Sequence, residues 1–525
     1  MRNASIIVRG TVRGESASAG VKRPVEPIRR RDLVAGFSVA LVLVPQSLAY
    51  AELAGMPAER GLYAAALPPL AAALFASSPY LQTGPVAITS LLTFGALSTV
   101  AVPGSGEYVA LALLLALIVG VVRLAIGLAR SGVVAYLMSQ PVLLGFTSAA
   151  AILIVLSQLP AALGVDPASE GVLERAADAF AEVGAWETGA LLLSVATVAL
   201  VLLGGRLHAL FPGVLVAAAA AIVYSEVADY GGATVGSVGG GLPPFSVDFP
   251  WTSLGTLVLP GLVIALVGFA EPAAIARTFA AQERRPWDPN REFVSQGVAN
   301  VTAAFSGGFP VGGSFSRSAL NRLSGARTRW SGAVTGLLVL AFLPFGSALS
   351  SLPQAVLAAI VIASVVGLIR LLPLLRLFRF SRGQFVVGAA TFVLTLVLSP
   401  HVERALVIGI LLSIGLHLRR ELSLEVASWT EGGGLHLRPR GVLWFGSART
   451  LEDAILKLLA EHSDAERLVV HLDALGRIDM TGALALRALL QDAREAGVTV
   501  EIVDVRARWR GLVARVIERE DDPLQ

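Results

Sequence analysis

"GGFPVGGSFSRSALNRL", residues 307–323, decides how the rest of this chain is read. Four glycines, three serines and a proline surround Arg317, inside a sequence that is otherwise strongly apolar. Only about ten residues separate Gly312 from the basic cluster that begins at Arg322, half of the ~20 that a helix needs to cross a bilayer. The hydrophobic fraction is 55%, charged residues make up 15%, and the mean hydropathy is +0.71. A soluble chain of 525 residues has too little interior to hide that much apolar surface. The fold class expected is therefore an α-helical polytopic membrane protein.

Fourteen apolar segments follow one another, at roughly 33–53, 61–77, 85–100, 107–128, 134–158, 187–204, 210–227, 255–280, 293–306, 314–324, 331–348, 353–370, 384–399 and 402–420. The loops agree with that count. Arginine gathers in alternate connections: Arg123 and Arg130 after span four, Arg206 after span six, and Arg284, Arg285 and Arg291 after span eight. The pattern continues with Arg322, Arg327 and Arg329 after span ten, Arg370, Arg376, Arg379 and Arg382 after span twelve, and Arg419 and Arg420 after span fourteen. Residues 160–186 hold Asp166, Glu170, Glu174, Asp178 and Glu182 against a single Arg175, and residues 225–254 hold no Lys or Arg. With a basic arm over residues 1–32, this alternation places both ends on the cytoplasmic side of the membrane. In the arm, "SASAG" precedes the apolar run, which argues against a cleaved signal peptide.

Spans three and ten stand out. Span three begins at "TGPVA", residues 83–87, again with glycine and proline at its head. Each is the third member of a group of seven. Because seven is odd, the second group enters the membrane from the opposite side. Short, Gly/Pro-interrupted segments at matching places in two inverted halves point to a transporter's substrate site. A helix starting near the midplane exposes unpaired N–H groups and a positive dipole end. Two such ends facing each other form an anion site, and irregular backbone is tolerated there because it lines a polar cavity.

After Arg420 the character changes. "GVLWFGSA" (441–448), "RLVVHLDAL" (467–475) and "VTVEIVDV" (498–505) are expected strands. They alternate with helices at 451–462, from Thr481, and near 510–519, which makes a small soluble α/β domain. Thr481 stands at the expected helix N-cap.

Other chemistry is poorly supported. The chain has no cysteine, so disulfides and thiolate chemistry are excluded. Six scattered histidines argue against a metal site. The glycines of "GGATVGSVGGG" (231–241) lack a P-loop lysine and are turn residues. No nucleophile–base constellation stands out, so neither an enzyme nor a cofactor is expected. The basic arm belongs to topology, not to nucleic-acid binding.

Several stretches resemble the sulfate permease (SulP) family of anion transporters. They are "LVPQSLAYAELAGMPAERGLYAAALPPLAAALF" from Leu43, "TGPVAITSLL" from Thr83, "GFAEPAAIARTFA" from Gly268, "GGSFSRSALNRLSGARTRWSG" from Gly312 and "LPQAVLAAIVI" from Leu352. The tail is similar to the STAS domain of these carriers, with "IDMTGALAL" (478–486) at its Asp-x-Ser/Thr-Gly loop. The resemblance implies an anion-transport domain over 33–420 with repeats at about 33–230 and 255–420, a linker over 421–435 and a STAS domain over 436–525. It further implies a core-and-gate architecture, a homodimer, and a substrate site built from Gln46, Tyr50, Gly84, Pro85, Val86, Ala87, Ser314, Phe315, Ser316 and Arg317. Tyr50 and Phe315 would be its aromatic walls. Family substrates include sulfate, bicarbonate, chloride, oxalate and other dicarboxylates.

Glu271, mid-span and followed by Pro272, is either the partner of a buried arginine or the group that couples a proton or a sodium ion. Glu52 either snorkels at the end of span one or shares that coupling role. Gln46, beside Pro45, either hydrogen-bonds broken backbone or binds the ligand. Asp479 and Thr481 are candidate regulatory residues. The function expected is a secondary carrier of small anions, proton-coupled and elevator-like, in a bacterial cytoplasmic membrane, with a cytoplasmic partner for the STAS domain. An uncoupled exchanger or channel, sodium-coupled bicarbonate uptake, and a membrane-tethered regulator in which the STAS domain acts are the alternatives.

Overall fold

A computed structural model describes residues 27–517 except 137, 138, 170, 209, 240, 423, 463 and 464. Residues 1–26 of the basic arm, and the last residues of the expected final helix, lie outside the described residues. The first half of the membrane region runs α1 (Arg30–Leu53), α2 (Ala58–Phe75), β1 (Gln82–Gly84), α3 (Ala87–Leu97), α4 (Gly106–Leu128), α5 (Gln140–Leu163), α6 (Val172–Ala181), α7 (Thr188–Leu207) and α8 (Gly213–Val227). The second half repeats the pattern: α9 (Leu254–Glu283), α10 (Pro289–Phe305), β2 (Gly312–Ser314), α11 (Phe315–Leu323), α12 (Trp330–Phe342), α13 (Gln354–Val365), α14 (Leu371–Phe380), α15 (Arg382–Val397) and α16 (Val402–Leu422).

Every expected apolar segment contains one of these helices, and among the described residues seven helices are long and apolar enough to cross a membrane. α3 and α11 are not among the seven. They have 11 and 9 residues, a rise of roughly 14–16 Å against a hydrocarbon core of about 30 Å. Each follows a three-residue strand, so the matching interruption in the two halves is a structural one.

The helices sort into two interleaved groups. α10 packs on α4 and α2, and α12 on α2 and α1, whereas α15 and α13 pack on α5 and α7 packs on α13 and α8. The first four segments of each half thus form one body and the last three of each half form the other. Small residues let these helices approach closely. At Gly61 a Cβ would lie 1.9 Å from the Ser47 carbonyl oxygen, so α1 and α2 cross there backbone to backbone.

Two helices fall in stretches expected to be loops. α6 lies in the acidic connection and buries only Ala176 and Ala179, while α14 lies in the arginine-rich one and buries only Leu374. Both are short amphipathic elements held by one narrow face, a weaker periodic signal than a span gives.

The tail forms β3 (Glu425–Glu431), β4 (Gly434–Leu443), α17 (Phe445–Glu461), β5 (Arg467–His471), β6 (Leu475–Ile478), α18 (Met480–Glu495) and β7 (Thr499–Val503). The sheet order is β3-β4-β5-β7, with β6 beside β4. β3 and β4 are an antiparallel hairpin, and the other pairings are parallel. Leu435, Leu437, Leu468 and Val470 pack beneath Leu451, Ile455, Leu486 and Leu490.

Four details correct the sequence expectation. The stretch 421–435 contains the end of α16 and all of β3, so it is not a free linker. The strand expected over 441–448 ends at Leu443, and a helix begins at Phe445. The strand expected over 467–475 ends at His471, and a separate strand follows at Leu475–Ile478. Asp479, not Thr481, caps α18: its Oδ1 accepts from Gly482 N at 2.7 Å, while Thr481 is exposed in the first turn. Asp is the stronger capping residue, because its short carboxylate reaches the orphan N–H groups directly.

The Gly61 crossing predicts that Gly61→Ala forces α1 and α2 apart and destabilises the fold by about 1–3 kcal/mol. The measurement is the thermal midpoint of the purified protein in detergent. An unchanged midpoint would show that the two helices do not meet at Gly61.

Candidate functional site

β1 and β2 pair antiparallel, with Gln82 opposite Ser314, Thr83 opposite Gly313 and Gly84 opposite Gly312. The inversion of the repeats makes the pairing antiparallel. The pairing gives partners to main-chain groups that a broken helix would otherwise leave bare at membrane depth. Facing helix ends were legible in the sequence; a strand pair of three residues each was not. Gly84 has φ +151°, a conformation that disfavours any Cβ.

From this pair α3 and α11 depart. Their first turns border a cavity of about 530 Å3, together with α1, α9 and α13. Tyr50 comes from α1, Val86 and Ala87 from the head of α3, Glu271 from α9, and Ser314, Phe315 and Ser316 from the head of α11. Ser364 of α13 closes the opposite side. The cavity extends to Gln140, Thr147, Thr278 and the exposed Arg370, the side that carries the arginine-rich connections. The wall combines aliphatic side chains such as Ile88, Leu143 and Val267 with hydroxyls, aromatic rings and the carboxyl of Glu271. Phe315 remains 48% exposed toward the cavity, and its ring stacks at 6.2 Å on Phe279.

Ser314 caps α11: its Oγ accepts from Arg317 N at 3.4 Å and lies 3.2 Å from Ser316 Oγ. Phe315 N, an orphan donor of the first turn, donates to Glu271 Oε1 at 3.2 Å. A carboxylate thus occupies the place that the helix terminus offers to an anion.

Arg317 does not line the cavity. It is buried on the far side of the α11 head, with Nη2 donating to the Pro85 carbonyl at 2.8 Å and Nη1 reaching Gln46 Oε1 at 3.5 Å. Its Nε has no hydrogen-bond partner. Gln46 is also behind the wall, and its Nε2 donates to Ser364 Oγ at 3.2 Å. Gly84 and Pro85 shape the strand exit without reaching the cavity, and Glu52 sits at the end of α1, outside the lining. Seven of the expected positions therefore meet at the cavity: Tyr50, Val86, Ala87, Glu271, Ser314, Phe315 and Ser316.

Sequence reasoning missed Ser364, a serine in an apolar span, and it misplaced Arg123. That arginine was counted in the connection after span four; it lies within α4 and has no exposure. Its position inside the stated limits of span four was the signal. Gln296 and Asn300 of α10 are buried as well. Among the described residues no group of three or more His, Asp or Glu is arranged to hold a metal ion.

Comparison with known proteins agrees with this geometry. The family model described as "Sulfate permease family" matches residues 30–391, and the STAS domain model matches residues 429–519. Sulfate transporter 4.1, chloroplastic, of Arabidopsis thaliana is 30% identical over 514 residues, covering 90% of this chain and 74% of the relative. The sodium-independent sulfate anion transporter of Bos taurus is 31% identical over 519 residues, covering 91% and 84%. Among solved structures, the murine solute carrier 26 family member A9 anion transporter in the inward-facing state superposes with TM-score 0.85 at 20% identity, covering 94% of this chain and 88% of that one. The transmembrane domain of a cyanobacterium bicarbonate transporter, BicA, superposes with TM-score 0.63 at 24% identity, covering 73% and 97%. Paired short helices on a strand pair, a cavity at their heads and a match over most of the membrane region lead to one conclusion: the chain belongs to the sulfate permease family of anion transporters and carries a STAS domain.

Proposed function

We propose that this chain is a proton-coupled symporter of small anions of the sulfate, bicarbonate or dicarboxylate class. The anion rests between the heads of α3 and α11, against Tyr50, Val86, Ala87, Ser314, Phe315 and Ser316. Arg317 and Gln46 act from behind, adding positive charge and holding the α11 head against Pro85. The names of the relatives favour sulfate as the first substrate to try, and the likeness to a bicarbonate transporter keeps bicarbonate beside it.

The observation that carries the coupling is the 3.2 Å contact from Phe315 N to Glu271 Oε1. An ionised Glu271 competes with the anion for the same orphan donor. Two unit charges about 5 Å apart at an effective dielectric near 20 repel by roughly 3 kcal/mol, or about a hundredfold in affinity. Protonation of Glu271 removes that repulsion and frees the donor. Proton and anion then favour each other's binding, and by linkage they do so reciprocally. Movement of the body containing α3 and α11 past the one containing α5 and α13 carries both across, as an elevator does. Dimerisation, cytoplasmic placement of both ends, a STAS partner and a regulatory role for Asp479 and Thr481 complete the proposal.

A sodium-coupled variant has one supporting feature. Pro272 cannot donate to the Gly268 carbonyl, which leaves an oxygen one turn from Glu271 on α9.

Reconstituted vesicles test these readings. Uptake of radiolabelled sulfate, bicarbonate and a dicarboxylate is measured with an imposed proton gradient, an imposed sodium gradient, or neither. A proton gradient is expected to stimulate uptake. Glu271→Gln is expected to abolish that stimulation while leaving anion exchange intact. Gradient-driven uptake surviving in Glu271→Gln would sink the coupling role, and stimulation by sodium alone would replace the proton. In the same vesicles Gly84→Ala, strained by about 1–3 kcal/mol at φ +151°, is expected to lower uptake at least about tenfold. Wild-type uptake by that variant would remove the strand pair from the mechanism.

A further inference from the structure

Arg123 is completely buried within α4. All three of its nitrogens donate to main-chain carbonyls: Nε to Ala265 at 3.0 Å, Nη2 to Ile264 at 3.2 Å and Nη1 to Val311 at 2.9 Å. Among the described residues it makes no ion pair with a carboxylate. A buried cation answered only by carbonyl dipoles is expensive, and apolar residues of similar volume usually serve packing as well or better. The charge itself needs a reason.

Its location supplies one. Val311 immediately precedes β2, and Ile264 lies two turns before Glu271 on α9. A Cβ on Gly268 would stand 2.6 Å from Arg123 Nη2 and 2.9 Å from Cγ2 of Thr89, in the first turn of α3. The guanidinium therefore sits where the α3 head, α9 and the approach to β2 converge, one layer behind the cavity wall. Neutral groups share the holding of this region. Asn300 accepts from Val311 N at 2.9 Å and donates to its carbonyl at 3.0 Å, and Gln296 donates to Thr83 Oγ1 at 2.7 Å. Among the described residues Arg317, behind the α11 head, is the other buried guanidinium, and Arg123 is the one held beside these neutral groups.

We propose that Arg123 is a specificity-determining positioning residue: without touching the anion, it places positive potential behind the α3 and α11 heads and so favours anions of higher charge. This rests on the anion site proposed above. Coulomb attraction is proportional to the charge of the solute. The fold-loss on removing Arg123's charge is therefore squared for a dianion relative to a monoanion. A purely structural clip would weaken both equally.

The test measures, in proteoliposomes, the KM and kcat for radiolabelled sulfate and the inhibition constant of nitrate against that uptake. Arg123→Gln is expected to raise the sulfate KM about tenfold and the nitrate constant about threefold. Arg123→Lys, which keeps the charge and loses the fork, is expected to move both constants together and preserve their ratio. Equal losses for both anions in Arg123→Gln, or a fall in kcat at unchanged KM, would overturn the inference. If Arg123→Gln does not fold as monodisperse protein, Arg123→Met takes its place, since an apolar side chain of similar volume can fill the site: a sulfate loss that is the square of the nitrate loss supports the inference, and equal losses overturn it. Wild-type vesicles without saturable sulfate uptake or nitrate inhibition would remove the anion site itself. Saturable uptake with an unchanged ratio in Arg123→Gln removes only the role of Arg123.

Discussion

The structure depends on one constraint: two breaks in the backbone, inside a bundle of apolar helices, must find hydrogen-bond partners that lipid does not offer. The chain meets it by pairing Gln82–Gly84 with Gly312–Ser314. Because the halves are inverted, the pairing is antiparallel, and α3 and α11 leave it in opposite directions. Each strand is short enough to spare the room that a cavity needs. The residues around the pair follow from the same constraint. Gly84 adopts a backbone angle that other residues rarely adopt, and Gly313 lies where a Cβ would approach Leu81 Cδ1 to 2.6 Å. Ser318 Oγ accepts from Gln82 N at 2.9 Å, and Asn300 clamps the peptide of Val311.

Much of this was legible because the membrane imposes coarse rules that sequence obeys openly. Span length, arginine in alternate connections, and glycine with proline at the heads of two short segments each have one physical cause, and helices occur in every segment they marked. What stayed hidden depends on direction instead of periodicity. Arg317 and Ser316 are neighbours in "SFSRS", yet Ser316 borders the cavity while Arg317 turns toward Pro85 and Gln46. No spacing rule distinguishes them without knowing which face of α11 the other half covers. Arg123 was hidden for another reason: an arginine near the end of an apolar run is normally a topology signal, and only its three carbonyl partners reveal a buried one. β3 escaped because "EVASWTE" has no apolar face, its stability coming from the hairpin with β4 around Gly432 and Gly433.

The arrangement of charge explains how such a site can serve a carrier. A guanidinium in direct contact with an anion makes a strong, bidentate pair, and a solute held that firmly leaves slowly. Transport requires binding that admits the solute and then lets it go. Among the described residues both buried arginines turn donors to protein oxygens: Arg317 to Pro85 and Gln46, with its Nε left without a partner, and Arg123 to Ala265, Ile264 and Val311. They are fixed one layer back, and under the proposal their field reaches the cavity while their hydrogen bonds stay with the protein. What would face the solute under the proposal is a set of weaker donors, the first N–H groups of two short helices and the hydroxyls of Ser314 and Ser316. The ionisable side chain in contact with those donors, Glu271, has the opposite sign. Glu271 holds the Phe315 N–H, so in the proposed mechanism attraction is constant and supplied from behind, while the veto on binding is local and lifted by a single proton.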